Sequence, residues 1–90
     1  MSPPAGHNNK IQLEVVVNGT GTTLEANIHE PLGAIIPKAL EQTGNQGQPP
    51  ENWELRDANG TPLPIEQKVE EFHFQPGTKL FLNLKAGIGG

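Results

Sequence analysis

The sequence contains no cysteine. A chain without cysteine forms no disulfide, no thiolate metal site and no nucleophilic thiol. Small secreted domains more often contain disulfides, so we expect this protein to reside in the cytoplasm. Residues 1–9 have neither the charge nor the apolar region of a signal peptide, and no apolar run in the sequence is long enough to span a bilayer. We therefore predict that residues 1–9 are a disordered leader and that the protein has no membrane partner.

Basic residues are also few. The chain has six lysines and arginines and ten aspartates and glutamates, so its net charge is −4. Nucleic-acid-binding domains usually have a basic face, so we expect no nucleic-acid partner. The three histidines, at positions 7, 29 and 73, show no local metal-ligand spacing. We predict no metal site in this chain. Ninety residues allow one domain.

The first half of the chain predicts a hairpin followed by a helix. Residues 10–17 and 22–28 alternate apolar and polar side chains, and the Asn-Gly pair between them favours a tight hairpin turn. Apolar residues then recur at helical spacing within residues 32–43. Pro37 predicts a distorted first turn, since a proline deep in a helix removes a hydrogen bond and clashes with the preceding turn.

The second half predicts two further strands and irregular segments. A strand is expected at residues 53–57, an edge segment at 62–65 and a short helical turn within 66–72. The last strand, 78–85, points Leu80, Leu82 and Leu84 inward. The first and last strands are the most apolar, so we place them side by side and parallel, with the helix across one face. The prediction for residues 10–85 is an α+β β-grasp fold, with a mixed sheet of four to five strands and one packed helix.

Residues 10–90, taken together, resemble the ubiquitin-like β-grasp family. The block Trp53-Glu54-Leu55-Arg56-Asp57, the strand around Leu80-Phe81-Leu82 and the tail Ala86-Gly87-Ile88-Gly89-Gly90 make the chain similar to small bacterial ubiquitin-like proteins. The resemblance implies a protein modifier, itself not an enzyme, that is monomeric when free. An activating enzyme, a conjugating enzyme, a deconjugating peptidase and target proteins are the implied partners. In bacteria it implies a role in stress or antiphage defence.

The same resemblance assigns roles to residues of the tail, 86–90. The activating enzyme adenylates Gly90, which then forms an isopeptide bond with a target; ATP is used by that enzyme, and this chain binds no cofactor. Gly87 and Gly89 make the tail flexible and slim, and Ile88 is a side-chain contact between them. No residue of the chain is expected to be catalytic.

Phe81 and Lys85 are candidate partner-binding residues. If the leucines at 80, 82 and 84 face the core, Phe81 lies on the opposite face of the strand. There it either anchors a partner or covers the edge of its own sheet. The exposed positions of the third strand, Glu54 and Arg56, differ from the aliphatic surface patch of ubiquitin, so receptors that bind that patch are not expected to bind this protein.

Two other functions share features with this interpretation. A sulfur carrier, which forms a C-terminal thiocarboxylate, has the same fold and the same Gly-Gly ending, so the fold does not choose between them. The block at Trp53 and the tail favour the modifier. A β-grasp binding module without tail chemistry is a third possibility. Each lysine of the chain, at 10, 38, 68, 79 and 85, is either an acceptor for a further copy or ordinary surface charge.

Overall fold

The structure is a computed structural model that describes residues 9–87. The predictions for residues 1–8 of the leader and for Ile88, Gly89 and Gly90 lie outside the described residues. Asn9, the last residue of the predicted leader, accepts a 2.8 Å hydrogen bond from the backbone N–H of Ile28 and so continues the pairing of the first two strands. Four strands and one α-helix follow each other along the chain: β1 (Lys10–Val17), β2 (Thr20–Asn27), α1 (Ile35–Gln42), β3 (Trp53–Arg56) and β4 (Thr78–Leu84). Short 3-10 helices lie at Leu32–Ala34, Pro50–Asn52 and Val69–Phe72.

The four strands form one mixed sheet in the order β2-β1-β4-β3. β1 pairs antiparallel with β2 and parallel with β4, and β3 pairs antiparallel with β4. The predicted central position of the first and last strands is therefore confirmed, as is the ubiquitin-like β-grasp architecture. The segment 62–65 is not a fifth strand. It makes an isolated bridge between Pro62 and Arg56 and one 2.9 Å hydrogen bond from Leu63 N to Leu55 O, because its prolines have no N–H to donate.

The β1–β2 connection has the predicted tight turn. Val17 pairs with Thr20, so the loop consists of Asn18 and Gly19 alone. Both have positive φ, 50° and 85°, as a type I′ turn requires. Because the register is set by this turn, Leu13 and Val15 face the same side as Leu24 and Ala26 of β2, and all four are buried.

The helix also follows the prediction, including its distorted start. A 3-10 turn at Leu32–Ala34 precedes α1, so Pro37 falls within the first turn of the α-helix. The N–H groups of that turn have no partner within the α-helix, so the missing N–H of Pro37 breaks no α-helical hydrogen bond. The buried face of α1 consists of Ile35, Ile36, Ala39 and Leu40. Ile35 was not predicted from the sequence.

The core lies between α1 and one face of the sheet, and among residues 9–87 no polar or charged residue is buried. Leu80 and Leu82 have no solvent exposure, and Leu84 is half-buried against the core, as predicted. Trp53 is buried as well. β3 ends one residue earlier than predicted because the Asp57 carboxylate starts a turn, accepting hydrogen bonds from the backbone N–H groups of Asn59 and Thr61.

Candidate functional site

The site predicted from the sequence begins where the chain leaves β4. The backbone N–H of Lys85 donates a 2.9 Å hydrogen bond to the carbonyl oxygen of Asn52. The Asn52 side chain in turn donates to Gln48 Oε1 at 2.8 Å, and the Trp53 indole N–H lies 3.4 Å from Gln48 O. Lys85, the residue before the tail, is thus tied to the 3-10 helix before β3 by a backbone contact that leaves its side chain exposed.

Beyond Lys85 the chain makes a turn at Ala86 and Gly87, both of which are exposed. Gly87 has φ 84°, and a Cβ built on it would meet no atom within 4 Å. The space there would admit a side chain, but the left-handed backbone favours glycine. The other residues predicted to act in the tail, Ile88, Gly89 and Gly90, lie outside the described part of the chain.

Phe81 lies on the face of the sheet opposite the core. Its neighbours Leu80 and Leu82 are fully buried, whereas Phe81 is half-buried between Val16 of β1 and Arg56 of β3, its partners in the strand register. Its own sheet therefore covers part of the ring, and the rest is accessible. Phe81 lies in the middle of β4, and Lys85 follows the end of that strand, four residues later in the chain.

An ion pair occupies the outer face of β3. The Arg56 guanidinium donates to Glu54 Oε1 from Nη2 at 2.7 Å and from Nε at 3.1 Å, and its Nη1 donates to Gly60 O at 2.9 Å. Both side chains are half-buried. This face thus presents a fixed charged pair beside Phe81, in agreement with the expectation that it is not an aliphatic patch.

The sequence did not predict an open groove beside Lys85, the residue from which the tail leaves the domain and which we call the tail root. The groove has a volume of about 290 Å³, and we call it the tail-root groove; it is lined chiefly by Trp53, Glu54, Leu63, Ile65, Glu66 and Lys85. Leu63 and Ile65 were predicted only as parts of an edge segment. The neighbouring prolines were the sequence signal that could have indicated the groove. Pro62 and Pro64 prevent the segment from pairing fully with β3 and leave its side chains accessible. A smaller groove of about 160 Å³ lies between α1 and the loop of residues 46–50.

Other titratable residues do not assemble into a site in the part of the chain that the structure describes. His29 Nδ1 lies 3.7 Å from Glu70 Oε1 at the surface, and His73 is exposed with φ 57°. His7 is outside the described range. Within residues 9–87 no group of histidines and carboxylates could hold a metal ion. All five lysines are exposed, and Lys38 Nζ lies 3.4 Å from the Glu25 carbonyl oxygen.

A relative in Sinorhizobium fredii, an uncharacterized protein called y4jI, is 49% identical over 81 residues. The match covers 90% of this chain and 62% of the relative, so this chain spans less than two thirds of the relative's length. In this chain, none of the helices within residues 9–87 has both the length and the apolar character needed to cross a membrane.

Two solved structures have the same fold. A de novo designed protein based on ubiquitin matches with a TM-score of 0.71 and 25% identity, over 91% of this chain and 98% of that one. The ubiquitin of Caldiarchaeum subterraneum matches with a TM-score of 0.69 and 20% identity, over 89% and 99% of the two chains. The family model described as proteins of unknown function, DUF2604, matches residues 6–90. The chain therefore belongs to the DUF2604 family and has the ubiquitin-like β-grasp fold.

Proposed function

We propose that this protein is a ubiquitin-like modifier whose Gly90 carboxylate is activated and then joined to amines or hydroxyls of other proteins. The observation that carries the proposal is the tie between Lys85 and Asn52, which holds a glycine-rich tail at the end of a core strand. The core stops at Leu84, and residues 86–90, which follow Lys85, are small or apolar. Such a tail is suited to entering a narrow active site of another protein.

The reach of the tail fits this role. A fully extended chain spans at most about 3.6 Å per residue, so residues 86–90 extend about 18 Å at most beyond Lys85. An enzyme that draws the tail out to this length can enclose the Gly90 carboxylate without unfolding β4. The chemistry requires a free carboxylate on Gly90, either as the translated end or after cleavage by a peptidase.

The proposed reaction has four steps, all performed by enzymes that bind this chain: adenylation, thioester formation, transfer of the thioester to a thiol of the conjugating enzyme, and attack by the acceptor. The Gly90 carboxylate attacks the α-phosphate of ATP, and pyrophosphate leaves. A thiolate of the activating enzyme attacks the resulting acyl-adenylate, AMP leaves and a thioester forms. After transfer to the conjugating enzyme, the acceptor amine or hydroxyl attacks the thioester, loses its proton, and the thiol leaves. A deconjugating peptidase hydrolyses the product.

In this proposal the chain is a substrate and not an enzyme, and ATP, the nucleophile and the general base all belong to its partners. We place the reaction in the cytoplasm, where ATP is available and enzyme thiols stay reduced. The modifier is monomeric when free. A part in stress or antiphage defence belongs to the same proposal and rests on the resemblance to bacterial relatives of the ubiquitin-like family.

The discriminating experiment is intact mass measurement of the purified chain after incubation with ATP and the activating enzyme of its native host. A modifier forms a thioester with that enzyme, and adducts with other proteins follow when the conjugating enzyme and targets are added. A sulfur carrier, with a hydrosulfide donor present, instead gains the mass difference between sulfur and oxygen as AMP leaves. If neither product forms and ATP is not consumed, the tail chemistry is wrong, and a β-grasp binding module becomes the better interpretation.

A further inference from the structure

Ile65 stands out because it is a large hydrophobic side chain that remains 38% exposed in the described structure. The loop that bears it is held in place. The backbone N–H of Gly33 donates to Ile65 O at 2.9 Å, and that of Leu32 donates to Gln67 O at 2.8 Å. The approach is close, since a Cβ on Gly33 would lie 3.3 Å from Ile65 Cβ. An apolar side chain that is exposed and already ordered loses little entropy when a partner covers it.

Ile65 forms one wall of the tail-root groove, with Leu63 and Trp53 beside it. At about 290 Å³ and open to solvent, the groove lies just below the size range of small-molecule pockets, about 300–1,000 Å³. Its lining combines apolar side chains, Leu63 and Ile65 among them, with the charged residues Glu54, Glu66 and Lys85. These properties suit one or two protruding side chains of a protein better than a cofactor.

The charged residues that line the groove specify the partner further. Glu54 is already paired with Arg56 at 2.7 Å, whereas neither Lys85 nor Glu66 has an ion-pair partner within residues 9–87. Lys85 lines the groove, and its backbone is held by the hydrogen bond to Asn52. A complementary segment therefore has an apolar side chain in its centre, a carboxylate facing Lys85 and a cation facing Glu66.

The groove is continuous with the surface on which the proposed chemistry depends. Lys85 lines the groove and immediately precedes the tail, so an enzyme that holds Gly90, about 18 Å away at most, has its own surface over or beside the groove. On the other side, the Glu54–Arg56 pair connects the groove to Phe81, which lies opposite Arg56 in the register. Phe81 thus lies on the strand next to β3, whose residues Trp53 and Glu54 line the groove.

From these contacts we infer that the tail-root groove is the docking site for the activating enzyme, which inserts an apolar side chain against Ile65 and a carboxylate beside Lys85. The inference rests on the proposed function and adds to it the surface by which the enzyme selects this chain. Ile65 and Lys85 act in binding, before the chemical step, so their loss affects KM and leaves kcat unchanged.

The test uses the full chain and the activating enzyme isolated from the native host by its ability to adenylate the wild-type chain. Pyrophosphate release gives kcat and KM for wild type, Ile65→Ala, Lys85→Glu and the control Lys79→Glu. The control makes the same charge change on β4 outside the groove. We expect Ile65→Ala and Lys85→Glu each to raise KM about tenfold with kcat unchanged, and Lys79→Glu to change KM less than about twofold. Thermal melts check folding, and Lys85→Glu keeps the test valid if Ile65→Ala is unstable, because Lys85 is exposed.

Each contrary result has its own meaning. An active wild type with unchanged KM in both groove variants overturns the docking site and leaves the proposed function standing. A lower KM for Ile65→Ala overturns it in favour of the chain's own tail occupying the groove. A concentration-dependent dimer that Ile65→Ala abolishes, with KM unchanged, overturns it in favour of a second copy. A wild-type chain that no host enzyme adenylates overturns both the inference and the proposed function.

Discussion

Lys85 and Asn52 are joined by a 2.9 Å hydrogen bond from the Lys85 backbone N–H to the Asn52 carbonyl oxygen. This contact fixes the point at which the tail leaves the domain, one residue after β4 ends at Leu84. The contact uses only backbone atoms, so the side chain at position 85 can change without breaking it, whereas a proline there removes the donor. The two effects can therefore be separated by mutation.

Lys85→Pro is expected to lower stability by about 1 kcal/mol, the net contribution of one hydrogen bond, and to reduce adduct formation several-fold by loosening the tail root. Lys85→Ala is the matched control, because it removes the same side chain and keeps the N–H. Urea denaturation and the adduct yield in the native host measure the two effects. Equal adduct yields for the proline and alanine variants would show that the fixed root has no functional role.

Leu82→Ala is expected to destabilise the protein by about 2–5 kcal/mol, because it empties a fully buried site. Leu82 pairs with Val17 on one side and Leu55 on the other, both buried. Asn83→Ala is the control, since the next residue of β4 is exposed and its loss should change stability by less than about 0.5 kcal/mol. Chemical denaturation compares the two, and similar shifts would contradict the register of β4.

Gly19→Ala is expected to cost about 1–2 kcal/mol, because φ at this turn position is 85° and an L-residue with a Cβ is strained there. Gly47→Ala is the control in an exposed loop. Position 47 has no positive φ, and a Cβ there would meet no atom within 4 Å. Its substitution should be neutral or slightly stabilising through the unfolded state. Equal denaturation midpoints for the two variants would rule out the type I′ turn.

Phe81→Ala is expected to weaken activation of Gly90 by more than its effect on folding explains. Phe81 is half-buried outside the core, so its truncation removes accessible aromatic surface on the outer face of β4. Anchors of this kind often contribute about 2 kcal/mol or more to an interface. Thr23→Ala, on β2 at the far edge of the sheet, is the control. The adenylation rate at low substrate concentration, measured with a melt, decides. An unchanged rate would make Phe81 a cover for its own sheet.

The parts of the fold that depend on local pattern were predictable from the sequence. Alternation identified β1 and β4, the Asn-Gly pair identified the hairpin turn, and Pro37 identified the distorted start of the helix. Each of these signals comes from residues close together in the chain, and each places side chains on a defined face. Alternation also placed Phe81 on the face away from the core.

What the sequence did not predict depends on contacts between distant residues. The Ile65 backbone is held by a hydrogen bond from the N–H of Gly33, which lies before α1 and β3 in the chain. The partial covering of Phe81 depends on the register that places Val16 and Arg56 beside it. The tail-root groove forms only when β3, the 62–65 segment and Lys85 come together in the folded chain. No local sequence pattern predicts that tertiary contact.

The most direct measurement of the central claim is the yield of covalent adducts in the native host, compared between the full chain and a chain lacking Gly89 and Gly90. The account predicts that mass spectrometry finds peptides of other proteins joined to Gly90 in the first case and none in the second. The two chains should also unfold at the same denaturant concentration, because the core ends at Leu84. Adducts that persist without the two glycines, or a full chain that forms none, would contradict the account.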